Sequence, residues 1–245
     1  MEGLGLQRAG RWDLREVSLA LAPGAAWAVA GTSGAGKTTL LDLVLGLVAP
    51  TEGRILLEGE AWSPLPDQAR RSRRPLIQAV LQDARASLPP HRTGWELLEE
   101  PLAVWDRGTP ATRREAAAQM AARVHFPEAA LAGRPEGWSG GLAQRLCLGR
   151  ALMLAPRLLV LDEPFSALDG PLAGALRDLL AAERARGTAL LLATHDLPAV
   201  ADLCEHLLVL EGGRTVAQGR LQALITDGPP AVRRLWDASP RLPLA

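Results

Sequence analysis

Residues 31–38 read Gly-Thr-Ser-Gly-Ala-Gly-Lys-Thr and contain the only lysine of the chain; every other basic residue among the 27 lysines and arginines is arginine. An ammonium is a compact point charge and a guanidinium a broad planar fork. A composition that has replaced lysine everywhere else has kept it where the smaller cation is required. The spacing Gly-x4-Gly-Lys-Thr is that of a phosphate-binding loop, or P-loop. In such a loop the backbone around Gly31, Ser33, Gly34, Ala35 and Gly36 turns N–H groups toward phosphate oxygens. A helix starting near Thr38 and running on through Thr39 aims its positive end at the same charge. Lys37 reaches the terminal phosphates, and the Thr38 hydroxyl suits a Mg²⁺ ligand. The motif constrains the fold because it works only between a strand and a helix. Residues 27–30 form an apolar run of strand length and residues 39–47 carry helical apolar spacing, as the motif demands. The plain alternative is a glycine-rich turn.

A chain of 245 residues, 48% of them hydrophobic, can bury a full core, either as one large α/β domain or as a domain with an inserted lobe. Its formal net charge is zero, which argues against nucleic acid as a partner. The densest basic stretch, Arg70-Arg71-Ser72-Arg73-Arg74, reads as a solvated loop, with a contact to an acidic partner or to lipid headgroups as the alternative. Cys147 and Cys204 lie far apart in apolar surroundings and read as buried thiols of a reducing cytosol. No metal-ligand spacing accompanies them.

Arg8, Arg11 and Arg15 precede an uncharged stretch at 17–36 that contains Ala28-Val29-Ala30, an imitation of a secretion signal. We reject that reading: cleavage there would remove the strand feeding the P-loop, and Asp13 and Glu16 interrupt the positive region. Pro23-Gly24 reads as a turn between strands. No run has the length needed to span a bilayer, so the expectation is a soluble or peripheral protein.

Strand-like apolar runs fall at 4–7, 17–21, 27–30, 54–57, 76–81, 158–161, 189–193 and 207–210. Residues 88–156 differ, with helical stretches at 112–124 and 142–154 and no strand pattern. The expectation is an α/β P-loop core with an antiparallel β part, formed by 1–87 and 157–226. A helical lobe at 88–156 is inserted into it, and a short tail of little core character follows at 227–245. Gly212-Gly213 marks a hairpin.

A second motif is Leu158-Leu159-Val160-Leu161-Asp162-Glu163-Pro164. A buried strand that ends in two acids can deliver Asp162 to the Mg²⁺ shell and let Glu163 polarise the water attacking a γ-phosphate. Standing alone, the same letters would also describe a strand ending in an Asp-Glu-Pro turn. Upstream, Trp138-Ser139-Gly140-Gly141-Leu142-Ala143-Gln144-Arg145 opens a helical run.

With these three motifs in order, the chain resembles the ATP-binding cassette (ABC) proteins, whose signature is usually Leu-Ser-Gly-Gly-Gln. The resemblance implies that Ser139, Gly140 and Gly141 cap, in trans, the γ-phosphate of ATP held by the P-loop of another subunit. It implies further that Gln82 is the Q-loop glutamine near Mg²⁺ and water, that Asp169 in Ser166-Ala167-Leu168-Asp169 belongs to a dimer-crossing D-loop, and that His195 is the switch histidine on the γ-phosphate. Catalysis then falls to Glu163, His195 and Gln82, and Mg²⁺ to Thr38, Gln82 and Asp162. Two departures stand out. Leu142 and Trp138 replace the usual glutamine and leucine of the signature. The customary aromatic residue that stacks on adenine is replaced near Ala9, with Trp12 a few residues late; Trp12 is either the stacker or a core residue.

Two looser stretches are similar to the ATPases of dipeptide, oligopeptide and nickel importers: Gln82-Asp83-Ala84-Arg85-Ala86-Ser87-Leu88-Pro89-Pro90 followed by Glu99-Glu100-Pro101-Leu102, and the tail from Gly228 to Leu242. The shortness of that tail leans toward the nickel or metallophore type. This resemblance implies a bacterial importer subunit on the cytoplasmic face of the inner membrane. Its expected partners are a second, different ATPase, two permease subunits and, indirectly, a solute-binding protein. The alternatives are an exporter or lipoprotein-release ATPase, and a non-transport or regulatory cassette.

Overall fold

The computed structural model describes residues 1–166 and 168–239; Ala167 of the D-loop stretch and the end of the tail lie outside the described residues. The strands are β1 Glu2–Arg8, β2 Arg11–Val17, β3 Ala26–Ala30, β4 Glu52–Leu57, β5 Glu60–Ser63, β6 Ile77–Val80, β7 Leu158–Asp162, β8 Ala189–Thr194, β9 His206–Glu211 and β10 Arg214–Arg220. The helices are α1 Lys37–Leu45, α2 Asp67–Arg70, α3 Gly94–Val104, α4 Pro110–Arg123, α5 Gly140–Leu152, α6 Gly170–Ala185, α7 Leu221–Asp227 and α8 Pro230–Ala238. Two compact units result, one formed by 1–74 with 189–245 and the other by 75–188. Among the described residues no helix is long and apolar enough to cross a membrane.

In the first unit β3 runs parallel between β8 and β9, and β10 closes the edge antiparallel to β9. All residues of β3 and β8 are buried, which is why both read as unbroken apolar runs rather than alternating ones. The hairpin between β9 and β10 turns on Gly212-Gly213 as expected. A separate antiparallel sheet has the order β2-β1-β4-β5. Its first hairpin turns on Ala9 and Gly10, both at positive φ (47° and 78°), as a tight two-residue turn requires.

Two expectations for this unit need correction. The strand foreseen at 17–21 lies earlier, at Arg11–Val17. Val17 and Leu14 pair with Leu4 and Leu6 across a register shift, and Glu16 at φ 56° makes the bulge that spoils the two-residue alternation. The arginine stretch is not a solvated loop. Arg70 is buried beneath Trp62, its guanidinium 5.4 Å from the ring centroid, and Arg73 donates to the carbonyls of Leu57 and Ala61. The tail after Asp227, mostly exposed where described, nonetheless forms a helix, α8, that places Val232 at 0% exposure.

In the second unit β6 and β7 are parallel, with Ile77 opposite Leu158 and Val80 opposite Leu161. The helices start where their caps dictate. Thr93 and Glu96 form a reciprocal capping box at α3, Thr109 caps α4 with Pro110 in its first turn, and Asp169 caps α6. Each such cap satisfies N–H groups the helix cannot pair itself. Cys147 and Cys204 are buried thiols not joined in a disulfide; burial pushes the Cys147 thiol up to about 12.

Candidate functional site

The P-loop leaves β3 at Gly31, which sits against β9 so closely that a Cβ there would meet the Leu210 carbonyl oxygen at 2.4 Å. No other residue type fits that approach. The loop folds on itself through the Ala35 N–H, which donates to Thr32 O at 3.1 Å. It then enters α1 through Gly36 at φ 106°, where a side chain would be strained. No side chain caps α1, so its first turn presents backbone N–H groups and the positive end of the helix dipole. Lys37 Nζ donates to the carbonyls of Gly31 (2.6 Å) and Thr32 (3.2 Å), which hold the ammonium over the loop.

A cleft of about 380 Å³ opens over this helix start, lined by Gly34, Gly36, Lys37, Thr38 and Thr39 and walled by Arg11, Trp12, Asp13, Gly212 and Gly213. Trp12, half-buried, borders both this cleft and β1. It lines the cleft, and its ring also covers Gly5, where a Cβ would lie 2.9 Å from the ring. The Arg15 guanidinium stands 5.3 Å from the ring centroid. Gly213 is a residue the motif search missed. Its N–H donates to Ala35 O (3.1 Å) and its carbonyl accepts from Arg15 N–H (2.8 Å), tying the P-loop to β2. Its only sequence signal was the paired-glycine hairpin.

His195 is exposed just beyond the end of β8. The backbone after it is fixed: Asp196 N–H donates to Thr194 Oγ1 (3.0 Å), and Asp196 Oδ1 accepts from Ala199 N–H (3.2 Å).

The second unit carries the remaining expected residues. Gln82 is exposed on the loop after β6. Asp162 ends β7, half-buried, and Glu163 follows it buried, with φ 51°. Positive φ at a non-glycine residue is costly and tends to cluster at functional sites. The Glu163 carbonyl is pinned by Ser166 Oγ (3.0 Å) and by the Gln144 amide (3.3 Å). Gln144 and Ser166 had been read only as letters of their motifs. Ser139 begins α5, accepting from Leu142 N–H at 3.2 Å, with Gly140 in the exposed first turn. Trp138 explains its own departure from leucine: it is buried and edge-on to Phe126 at 5.2 Å, a packing role that needs a larger side chain. Asp169 accepts from Leu172 N–H at 3.1 Å.

Thr38 in the first unit and Gln82 and Asp162 in the second each offer hard oxygen: a hydroxyl, an amide and a carboxylate. Oxygen donors of these types suit Mg²⁺, which takes one or two carboxylates and completes its shell with phosphates and water. Among the described residues no cluster of three or more His, Cys, Asp or Glu side chains competes as an all-protein metal site.

Residues 14–166 match the family described as ABC transporter. The chain is 40% identical over 226 residues to the nickel import ATP-binding protein NikE of Escherichia coli O6:K15:H31 (strain 536 / UPEC), covering 92% of this chain and 84% of that one. It is 37% identical over the same shares to NikE of Shigella boydii serotype 4 (strain Sb227). Among solved structures it is similar to the dimeric post-hydrolysis state of the ATP-binding cassette MJ0796 bound to ADP and Pi, with TM-score 0.83 and 26% identity over 89% of this chain and 97% of that one. With its P-loop, its mixed and antiparallel sheets and this breadth of likeness, the chain belongs to the ABC transporter family and is an ATP-binding, ATP-hydrolysing cassette.

Proposed function

We propose that the chain is the ATPase subunit of a bacterial importer for nickel, metal chelates or peptides, and that it works beside a second, different ATPase. The observation that carries this reading is the 40% identity to a nickel import ATP-binding protein across 92% of the chain. The importer-like segments at 82–90 and 99–102 support it. Two permease subunits receive the motion, a solute-binding protein delivers the cargo to them, and the chain sits peripherally on the cytoplasmic face of the inner membrane. In this reading 1–87 and 157–226 hold nucleotide, 88–156 carries the signature, and 227–245 is an accessory tail.

In the cycle we propose, the P-loop backbone and Lys37 bind the β- and γ-phosphates, with Thr39 at the same helix start and Trp12 beside adenine. Thr38, Gln82 and Asp162 would hold Mg²⁺, which when bound neutralises phosphate charge. Glu163 accepts hydrogen from the attacking water, and its carboxylate direction is set by the backbone that Gln144 and Ser166 pin. His195 donates toward the γ-phosphate. Ser139 and the N–H groups after it complete the site of the partner ATPase, and Asp169 lies at that interface. Binding of ATP closes two cassettes, and hydrolysis reopens them.

Glu163→Gln keeps the shape and removes the base, so turnover falls about a hundredfold or more while ATP stays bound. The tagged variant, extracted from its own membranes in mild detergent with Mg²⁺ and ATP, is expected to bring two permeases and a second ATPase. Recovery of ribosomes, of nucleic acid or of no membrane protein would contradict the importer reading.

A further inference from the structure

The loop that carries His195 is held from an unexpected direction. Ser239, at the C-terminal end of α8, is buried at 6% exposure. Its Oγ accepts from Leu197 N–H at 3.3 Å and stands 3.1 Å from the His195 carbonyl and 2.9 Å from the Leu235 carbonyl, to either of which its single hydrogen is donated. One hydroxyl therefore bridges the last turn of α8 to both sides of Asp196. The same helix lies along the start of the P-loop. Ala231, Leu235 and Ala238 share a crevice of about 210 Å³ with Gly31 and Thr32. Val232 anchors α8 in the core and Arg234 faces Glu211 at 3.7 Å.

We infer that Ser239 is a positioning residue for ATP hydrolysis: it fixes the backbone on both sides of His195's neighbour so that the imidazole meets the γ-phosphate in one orientation. Removing the hydroxyl strips the buried Leu197 N–H of its acceptor and releases the loop. α8 thereby serves catalysis without touching the reacting atoms, a use of the C-terminal helix that lies outside the matched family region at 14–166. The inference rests on the proposed role of His195.

The test is ATP turnover by the full chain in the membrane complex with which it co-purifies, with wild type, Ser239→Ala, Ser239→Thr, His195→Ala and the double variant Ser239→Ala/His195→Ala. Ser239→Ala is expected to lower kcat roughly three- to tenfold, with KM for ATP within about twofold because the P-loop is intact. Ser239→Thr keeps the hydroxyl and restores kcat to within about twofold. In the His195→Ala background Ser239→Ala adds no further loss, since the two act as one unit. If His195→Ala slows turnover and Ser239→Ala does not, Ser239 has no positioning role and the reading of His195 stands. Independent, multiplying losses in the double variant would make Ser239 merely structural. If His195→Ala itself leaves turnover unchanged, the reading of His195 fails and this inference with it. Should Ser239→Ala not fold, amide exchange of the unaltered chain decides. Leu197 N–H is expected to exchange about tenfold or more slowly than an open loop amide, and exchange at the open rate would overturn the proposal.

Discussion

The helix after the P-loop and the helix after Trp138-Ser139 both have glycine at their start, Gly36 as the N-cap of α1 and Gly140 as the first residue of α5, yet their first turns are built differently. At α1 the N-cap is Gly36 in a left-handed conformation and no side chain bonds the helix start. At α5 the N-cap is Ser139, extended at φ −65° and ψ 160°, and its own hydroxyl takes the Leu142 N–H. Both helix starts can attract an anion. The first leaves its backbone donors to a ligand and adds a cation in Lys37; the second is already capped and brings no charge. The difference teaches how the proposed roles divide: α1 leaves donors for a ligand and carries a cation, whereas α5 is a self-capped helix start suited to adding to phosphate held elsewhere.

The sharpest way to break the first half of the comparison is Gly36→Ala. A Cβ there would lie 3.1 Å from Asp13 O and 3.2 Å from Leu14 Cδ1, at φ 106°. We expect a stability loss of about 1–3 kcal/mol, read as a Tm drop of about 2–4 °C for each kcal/mol, together with weaker ATP binding. A variant as stable and as tight as the parent would show that the glycine start is not required. The second half is sharpened by Leu142→Gln. Restoring an amide beside the signature is expected to raise turnover of the assembled complex about two- to fivefold, the scale of one hydrogen bond; unchanged turnover would make the Leu142 departure silent. The smallest effect concerns the body of α5 rather than its tip. With its thiol pushed up to about 12 by burial, Cys147 is almost wholly protonated near neutral pH, and the thiolate is the reactive form. Alkylation at pH 8 is expected to spare Cys147 in the native chain and to proceed in denaturant. Rapid native labelling would mean that α5 opens readily.

The motif that needs no distant partner is the most legible part of the site. The P-loop, Asp162-Glu163 and the signature announce themselves because each is a run of adjacent residues whose chemistry is local. Gln144, Gly213 and Ser239 were hidden for the opposite reason, since each acts through a backbone group far away in the chain. The same division governs the fold. The runs that became β3 and β8 are apolar because both faces are covered. By contrast β5 has only Trp62 to betray it, and that ring is placed by donating Nε1–H to Val44 O at 2.9 Å. The bulge at Glu16 misplaced β2 by interrupting the period on which strand recognition relies. Arg70 looked solvated because nothing in an arginine-rich stretch tells that one guanidinium will lie on Trp62. In α8, prolines and arginines masked an amphipathic turn whose one fully buried residue is Val232.

The central claim is that phosphate is bound at α1 and only completed at α5, and equilibrium titration of the isolated chain with Mg²⁺ and ATP tests it most directly. Lys37→Ala removes a charge-assisted donor worth about 1.5–3 kcal/mol, so Kd for ATP is expected to rise about tenfold or more. Ser139→Ala is expected to leave Kd of the single chain within about twofold, although the lost helix cap costs about 1 kcal/mol of stability. If instead Ser139→Ala weakens binding to the single chain as much as Lys37→Ala does, the two helix starts are equivalent phosphate sites and the account is wrong.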